Sequence, residues 1–475
     1  CPHEHGVSHY SSNPRLLGRV EYIQDFCQIL PCMYILEIQK VGWVKTNMTT
    51  PRDKYERRIE TLNGYFEDGE ISRDSYNRII ELLNAYDNDN ILVSTPQGEG
   101  TRKPSTLMSW LYPLMIIARE RDLTEATIDE LKRDLQQLHD GTHPLVNDEG
   151  IQKSTIRNYQ VALRNFYRYH DTLEVESSEI PIFDKASSPI DPNDMLTKEE
   201  IQEAREAVGN PRYRAIFELL LYTGQRREAI RTLRLKDVNL ETGTYRLNST
   251  VDGLKGATDR NGNRPLLGAK GPLQNWLEYH PDTSNPDHYL ITTRPSYSVV
   301  DPASPVSGET IRRAMENIKE KTDIQKPMHP HAIRHNFVTI AKRDYDLPDD
   351  TIKYLIGHNA ASKVMETTYS HLSGDDHVQR AEEAWGIREP EDDSPFTPDV
   401  CEVCKNPLAP DAKACSRCGT VYTPDAQSAQ QMVEEMALEG MRAAKDDNEA
   451  EAVKQFRTFL KENPDKAVDI MQEKL

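Results

Sequence analysis

The stretch RYRAIFELLLYTGQRREAIRTLRLKDV, residues 212–238, determines the architecture of the second half of the chain. Its apolar first part predicts a buried helix, and Gly224 is the type of residue that ends one. The apolar residues that follow would anchor another helix inward. Arg226 therefore lies at a backbone turn, from which a guanidinium can offer its planar fork of donors to a phosphate in a cleft. Taken alone, the motif does not prove a site, because surface arginines near helix starts are common.

A second motif, HPHAIRHNFVTIAKR, spans residues 329–343. Pro330 marks a helix start. His331 and Arg334 are three residues apart and so share one face of that helix. A histidine beside an arginine suits an anionic transition state. His335 should point elsewhere and serve a structural role.

A third motif, LIGHNAASKVMETTYSHLS, spans residues 355–373. His358 follows Gly357 at a turn, and Tyr369 comes shortly after, between threonines and a serine. A lone tyrosine usually serves packing. The order of the three motifs along the chain is what favours chemistry.

This ordered set (TGxR with LRxxD, then HxxRH, then GH and a tyrosine before SHLS) resembles the tyrosine recombinase, or phage integrase, family, over about residues 100–385. The composition is similar to that of archaeal, halophile-type members. The resemblance implies a catalytic set consisting of Arg226, Lys255, His331, Arg334, His358 and Tyr369. It also implies metal-independent DNA strand cleavage and rejoining through a 3′-phosphotyrosyl link, on double-stranded DNA attachment sites, by a homotetramer.

Three departures from the family pattern bear on this set. Glu228 precedes the usual glutamate position, which is Ala229 here. The hairpin after Lys255 is slightly long, and so is the spacing from His358 to Tyr369. Two strands are predicted, Thr244–Leu247 and Arg264–Leu267. Lys270 is the weaker alternative for the lysine, because it lies beyond the second of them.

The helical and turn patterns predict a mainly α fold with a small β-sheet, an α+β class. The resemblance gives the first helical part the role of a SAM-like core-binding domain that clamps DNA. The predicted layout is a disordered tail or non-native extension at 1–47, the core-binding domain at 48–171, a linker at 172–196, the catalytic domain at 197–386, a linker at 387–400, a zinc ribbon at 401–420 and a helical tail at 425–475. Thr197 and Glu200 form the capping-box pattern at the start of the catalytic domain.

One predicted helix of the core-binding domain carries a basic stripe. Lys153, Arg157, Arg164 and Arg168 recur at helical spacing. Such a stripe is either a solvated face or a DNA contact. A solvated face is the more common case, but the neighbouring catalytic motifs make the two interpretations equally well supported here.

The four cysteines in CEVCKNPLAPDAKACSRCGT, residues 401–420, form two CxxC pairs. Cys401, Cys404, Cys415 and Cys418 can supply four thiolates to a tetrahedral structural zinc, as in a zinc ribbon. Because four thiolates complete the coordination, the metal would stabilise the fold and take no part in catalysis. The ribbon would contact DNA or protein. Catalysis would need no cofactor.

Composition limits the remaining possibilities. The net charge of −19 is opposite to the usual basic footprint of a DNA-binding protein. Adaptation to high salt, with basic residues gathered locally, explains it best. No apolar run reaches the roughly 18 residues of a membrane span. Cysteines are absent between Cys32 and Cys401, which predicts a reducing, cytoplasmic location.

Three alternatives remain open. A type IB topoisomerase-like relaxing enzyme would use the same chemistry without a fixed pair of sites. A catalytically inactive, integrase-derived DNA-binding regulator would need only the fold and the ribbon. A zinc-ribbon adaptor that joins proteins would leave the catalytic set unexplained.

Overall fold

The computed structural model describes most of the chain. The described ranges are 50–90, 100–146, 149–184, 191–251, 262–293, 301–345, 347–363, 394–444 and 446–463, with a few isolated positions besides. Lys255, Tyr369 and the tail predicted at residues 1–47 lie outside them.

The first helical part is built around one apolar cluster, which includes Leu62, Leu111 and Phe166. Its helices are α1 (Pro51–Glu67), α2 (Arg73–Tyr86), α3 (Pro104–Ala118), α4 (Ile128–Asp140) and α5 (Lys153–Tyr169). Gly64 lies inside α1, and the turn between α1 and α2 falls at Gly69, which has a φ of 74°.

The second part is built around another apolar cluster, which surrounds the helix predicted from residues 212–223. Its helices are α6 (Lys198–Ala207), α7 (Pro211–Thr223), α8 (Arg227–Thr232), α9 (Lys270–Leu277), α10 (Gly308–Lys319), α11 (Pro330–Arg343) and α12 (Asp349–Leu355). The capping box of Thr197 and Glu200 forms as predicted, and α7 ends at Gly224 with a φ of 56°. Helices α9, α10 and α11 pack on α7, which makes it the centre of this part.

A small antiparallel sheet follows α8 in the chain, with the strand order β1-β2-β3. The strands are β1 (Val238–Asn239), β2 (Thr244–Tyr245) and β3 (Arg264–Pro265). Tyr245 pairs with Arg264. The predicted fold class is therefore confirmed. Both predicted strands are shorter than expected, and the one at 264–267 ends early because Leu267–Ala269 form a 3-10 turn.

Parts of both predicted linkers are packed. Val175 and Ile180 are buried in the first cluster, and Phe396 is fully buried in the second. The acidic, proline-containing composition of these segments did not reveal the single apolar residues that anchor them.

Two helices end the described chain, α13 (Pro424–Ala443) and α14 (Asp447–Glu462), and they pack against each other. This agrees with the predicted helical tail. Among the described residues, no helix combines the length and the hydrophobicity that a membrane span requires.

Candidate active site and metal centre

Arg226 lies immediately before α8, at the turn that follows α7. Its Nη2 donates to Nε2 of His358 over 2.7 Å, and its Nη1 donates to the carbonyl of Gly357 over 3.3 Å. The side chain is half-buried. Two turns that are more than a hundred residues apart in the sequence are thereby joined through one guanidinium.

Arg334 joins the same two turns from inside the domain. It projects from α11 and is only 1% exposed. Its Nη1 donates to the carbonyl of Gly224 over 2.6 Å and to that of Ile356 over 2.9 Å. The structure thus brings together Arg226, Arg334 and His358 from the predicted catalytic set.

The environment of His358 fixes its charge and its tautomer. Burial, and then the positive charges of Arg334 and Arg226, lower the pKa of His358 to about 3, so the ring is neutral near pH 7. An arginine only donates hydrogen bonds, so Nε2 must accept from Arg226 and the ring proton is assigned to Nδ1. Nδ1 is buried and has no hydrogen-bond partner among the described residues. The ring therefore carries one N–H that no described residue accepts.

His331 is exposed on α11, one turn before Arg334. The expectation that His335 points elsewhere is wrong. The rings of His331 and His335 meet edge to face, with centroids 4.2 Å apart, because residues four apart share a helix face. His329 caps α11 by accepting from the amide of Ala332 over 3.0 Å. A histidine pair, not a lone histidine, lies on this surface.

Sequence reasoning missed two buried polar residues next to the site. Gln225 donates to the hydroxyl of Tyr245 over 3.0 Å and to the carbonyl of Leu355 over 2.6 Å. Arg264, on β3, donates through Nε to the carbonyl of Tyr354 over 3.1 Å and is 1% exposed. These contacts tie the sheet to α12, which leads into His358. A charged residue inside a predicted strand was the signal that could have revealed Arg264.

The predicted DNA-binding stripe on α5 has partners within the chain. Arg164 donates through Nε to the carbonyl of Ile180 over 2.7 Å, and Arg157 does so to that of Phe183 over 3.0 Å. The ammonium of Lys153 lies 5.9 Å from the ring centroid of Phe183. Arg168 is exposed near the end of the helix. The stripe therefore fastens the start of the predicted linker, a role that the helical spacing did not indicate.

The four predicted metal ligands converge. The sulfurs of Cys401, Cys404, Cys415 and Cys418 all lie within 4.8 Å of one another. The sulfurs of Cys401 and Cys418 are 3.5 Å apart, as are those of Cys404 and Cys415, and none of the four cysteines forms a disulfide. A zinc ion at about 2.3 Å from each sulfur would separate the sulfurs by about 3.8 Å. The donor set therefore fits a tetrahedral metal ion.

The two cysteine turns repeat one backbone geometry. The amide of Lys405 donates to the carbonyl of Cys401 over 2.8 Å, and that of Gly419 donates to Cys415 over 2.9 Å. Lys405 and Gly419 both have positive φ, at 58° and 73°. Such paired turns direct both sulfurs of each CxxC inward, as in a pair of zinc knuckles.

The first site belongs to the class that can hold a phosphodiester. Two guanidinium groups and a neutral N–H donor meet at a pair of fixed turns. Preorganised donors of this kind stabilise charge that develops on phosphate oxygens.

Comparison with known proteins is consistent with that class. Residues 194–375 match the family described as "Phage integrase family". Tyrosine recombinase XerA of Saccharolobus solfataricus is 25% identical over 294 residues, which cover 60% of this chain and 87% of that protein. Tyrosine recombinase XerA of Pyrococcus furiosus is 30% identical over 194 residues, which cover 39% of this chain and 61% of that protein. These matches support the tyrosine recombinase family for this chain.

Solved structures of similar proteins were also found. "Crystal structure of XerA recombinase" covers 71% of this chain and all of its own, with 20% identity and a TM-score of 0.33. A XerH site-specific recombinase bound to palindromic difH substrate covers 72% of this chain and 98% of its own, with 17% identity and a TM-score of 0.43.

Proposed function

We propose that the chain is a site-specific DNA recombinase that cleaves and rejoins DNA through a covalent 3′-phosphotyrosyl intermediate. The observation that carries the proposal is the meeting of Arg226 and Arg334, from separate elements, at the turn of a neutral His358. The family match over residues 194–375 and the curated relatives agree with it.

In this proposal the three residues bind the scissile phosphate. Arg226 and Arg334 stabilise the negative charge that builds on the non-bridging oxygens in a phosphorane-like transition state. His358 donates from Nδ1 to a phosphate oxygen. With its low pKa it acts as a hydrogen-bond donor rather than as a general acid near pH 7.

The covalent step then proceeds as the family resemblance implies. The phenol oxygen of Tyr369 attacks the phosphorus, and the bond from phosphorus to the 5′ oxygen breaks. His331 takes the phenol proton, and Lys255 gives a proton to the departing 5′ oxygen. The phosphotyrosyl link retains the bond energy, so a different 5′ hydroxyl can attack it and reseal the strand. These steps use no nucleotide and no catalytic metal.

The remaining expectations attach to the same proposal. Double-stranded attachment sites are the substrate, and pairing two sites calls for a homotetramer on DNA. A cytoplasmic location would follow from access to that DNA. For the four-cysteine site we propose a structural zinc, which metal analysis of the purified protein would test by finding about one zinc ion per chain.

The test is trapping of the covalent intermediate on DNA that flanks the protein's own gene. The wild-type protein should give a covalent DNA adduct and recombinant junctions. Tyr369→Phe should bind the same DNA and give no adduct, because the attacking oxygen is missing. Tyr279→Phe is the matched control, since Tyr279 is 47% exposed and outside the site, and it should react like the wild type.

Each alternative predicts another result. An adduct with relaxation of supercoiled DNA but without junctions would point to a topoisomerase-like enzyme. DNA binding by the wild type without any adduct would point to an inactive regulator. An adduct recovered from Tyr369→Phe would contradict the assignment of the nucleophile.

A further inference from the structure

The four-cysteine module is not a free appendage of the catalytic part. The segment 394–426, which we name the clasp segment, contributes Phe396, Cys401, Cys415 and Tyr422 to the same buried cluster as α7 and α11. Phe396, Cys401 and Cys415 are fully buried. A module whose own metal ligands lie in another element's core does not sit on a flexible tether.

The first contact is ionic and partly buried. Glu402, between the first two cysteines, accepts from Nη2 of Arg214 over 2.7 Å. Nε of Arg214 lies 2.7 Å from Glu218 on the same helix, α7. Glu218 also accepts from Nε of Arg205 over 3.1 Å, and both of these side chains are at most 3% exposed. Glu402 supplies the second carboxylate that balances the two guanidinium groups.

The second contact is aromatic and polar, and it reaches α11, which carries Arg334, and α7, which ends shortly before Arg226. The carbonyl of Phe396 accepts from Nη2 of Arg205 over 3.0 Å and from the hydroxyl of Tyr222. The ring of Phe396 lies 5.4 Å from that of Tyr222 and 6.0 Å from that of Phe337. Tyr222 precedes Gly224 by two residues, and Phe337 follows Arg334 by three.

The third contact is a close backbone approach. A Cβ atom added to Gly271, in α9, would lie 2.6 Å from Cβ of Glu402 and 3.1 Å from the amide nitrogen of Val403. Only glycine fits there, so α9 and the first cysteine turn are shaped to each other.

We propose that the four-cysteine module acts in cis, as a metal-dependent clasp that holds α7 and α9 of its own catalytic domain. A segment of this size cannot fold on apolar contacts alone, so the metal fixes the turn that presents Glu402. Without the metal, Glu402 would leave Arg214, and the buried charges of Arg205 and Glu218 would lose their balance. The end of α7, and with it the turn before Arg226, would loosen. This proposal does not depend on the DNA chemistry proposed above.

The test is hydrogen–deuterium exchange on the full chain with its metal and after chelation, without DNA. Metal removal should speed exchange roughly tenfold in peptides of α7 and α9 as well as in residues 401–422. Peptides of α3 and α5, in the other apolar cluster, are the internal control and should not change.

Two variants test the ionic contact of the clasp while the metal stays bound. Glu402→Gln removes the charge that Arg214 contacts and leaves all four cysteines, so metal content should stay constant while exchange in α7 rises several-fold. Lys405→Ala is the matched control. Lys405 is the outward partner of Glu402, at 3.2 Å with 70% of its side chain exposed, and its loss should leave α7 unchanged.

The contrary results are equally definite. Faster exchange confined to residues 401–422 after chelation would show an autonomous module and overturn the clasp. An equal rise in α3 and α5 would show general unfolding and would also overturn it. Unchanged exchange in α7 for metal-loaded Glu402→Gln would exclude the ionic contact as the coupling.

Discussion

Gly224 shows how one residue can set the geometry of the site. Its φ of 56° lies in the left-handed region, and a Cβ atom there would lie 2.3 Å from the ring of Phe337. Its carbonyl accepts from Arg334, and the chain then turns directly to Arg226. The glycine therefore does more than end α7, because it lets a backbone turn approach α11 closely enough to be held by Arg334.

Replacing Gly224 by alanine should be costly at this position. We expect about 1 kcal/mol from the left-handed backbone and about 1–3 kcal/mol from overpacking against Phe337. Urea unfolding would measure the change in the free energy of unfolding. Gly243→Ala is the matched control, because Gly243 has a φ of 65° and nothing within 4 Å of the added Cβ. Equal losses for the two variants would contradict the close approach.

The low pKa of His358 predicts how stability depends on pH. The pKa falls from 6.5 in the unfolded chain to about 3 in the fold, chiefly through burial and then through Arg334 and Arg226. The unfolded state therefore binds more protons in this window, and stability that is fully present above pH 6.5 is lost as the pH falls toward 3.

Comparison with His358→Gln isolates this effect, because the other histidines are common to both proteins. Between pH 6.5 and 5 the wild type should lose about 1 kcal/mol more than the variant, after allowance for solvent screening. Denaturant unfolding at the two pH values gives both numbers. Parallel losses would mean that the ring is not held neutral by its surroundings.

At the scale of elements, local signals predicted local structure well. The pair Thr197 and Glu200 predicted the start of α6, and Gly224 predicted the end of α7. These signals work because caps satisfy backbone groups within a few residues of themselves. The resemblance to the tyrosine recombinase family, and not these local signals, put Arg226, Arg334 and His358 in the set that the fold brings together.

Local signals could not predict the partners of charged side chains when those partners are distant in the sequence. The spacing of the stripe on α5 is correct, yet it gave no sign that Arg164 and Arg157 would fasten residues 180–183. The docking of Glu402 on Arg214 joins residues far apart in the sequence, and no periodic pattern marks such a pair. Partner identity for a charged side chain is a property of the fold, and composition alone suggested only a linker at residues 180–183.

The stripe on α5 therefore divides into a structural and an exposed part. Arg164→Ala should lower the thermal midpoint by a few degrees, because the carbonyl of Ile180 loses a charged donor worth about 1.5–3 kcal/mol. Arg168→Ala, at the exposed end, should leave the midpoint in place and weaken DNA binding with a smaller salt slope. Scanning calorimetry and binding at two salt concentrations test both. A stable Arg164→Ala protein with weak DNA binding would restore the original interpretation of the stripe.

For the whole molecule, the charge and the proposed function pull in opposite directions. The chain carries 77 acidic and 58 basic residues, a net charge of −19, yet the proposed substrate is a polyanion. The described site resolves part of this conflict by placing two guanidinium groups and an uncharged donor where a phosphate would enter. Affinity from that geometry does not need a basic surface, although a protein with few basic groups on its surface releases few counterions from DNA.

The same charge predicts that salt stabilises the protein while it weakens DNA binding. Self-repulsion among the excess acids opposes the compact state, and ions screen it as the Debye length shortens from about 30 Å at 0.01 M to about 10 Å at 0.1 M. Raising KCl from about 0.02 M to about 0.3 M at pH 7.5 should therefore raise the thermal midpoint by roughly 3–6 °C, or about 1–2 kcal/mol. Near the isoelectric point of 5.3 the net charge vanishes, and the rise should vanish with it. An equal rise in the thermal midpoint at both pH values would mean that salt acts through exclusion from the protein surface. A fall in the midpoint at pH 7.5 would mean that local ion pairs, such as Arg214 with Glu402, outweigh the global repulsion.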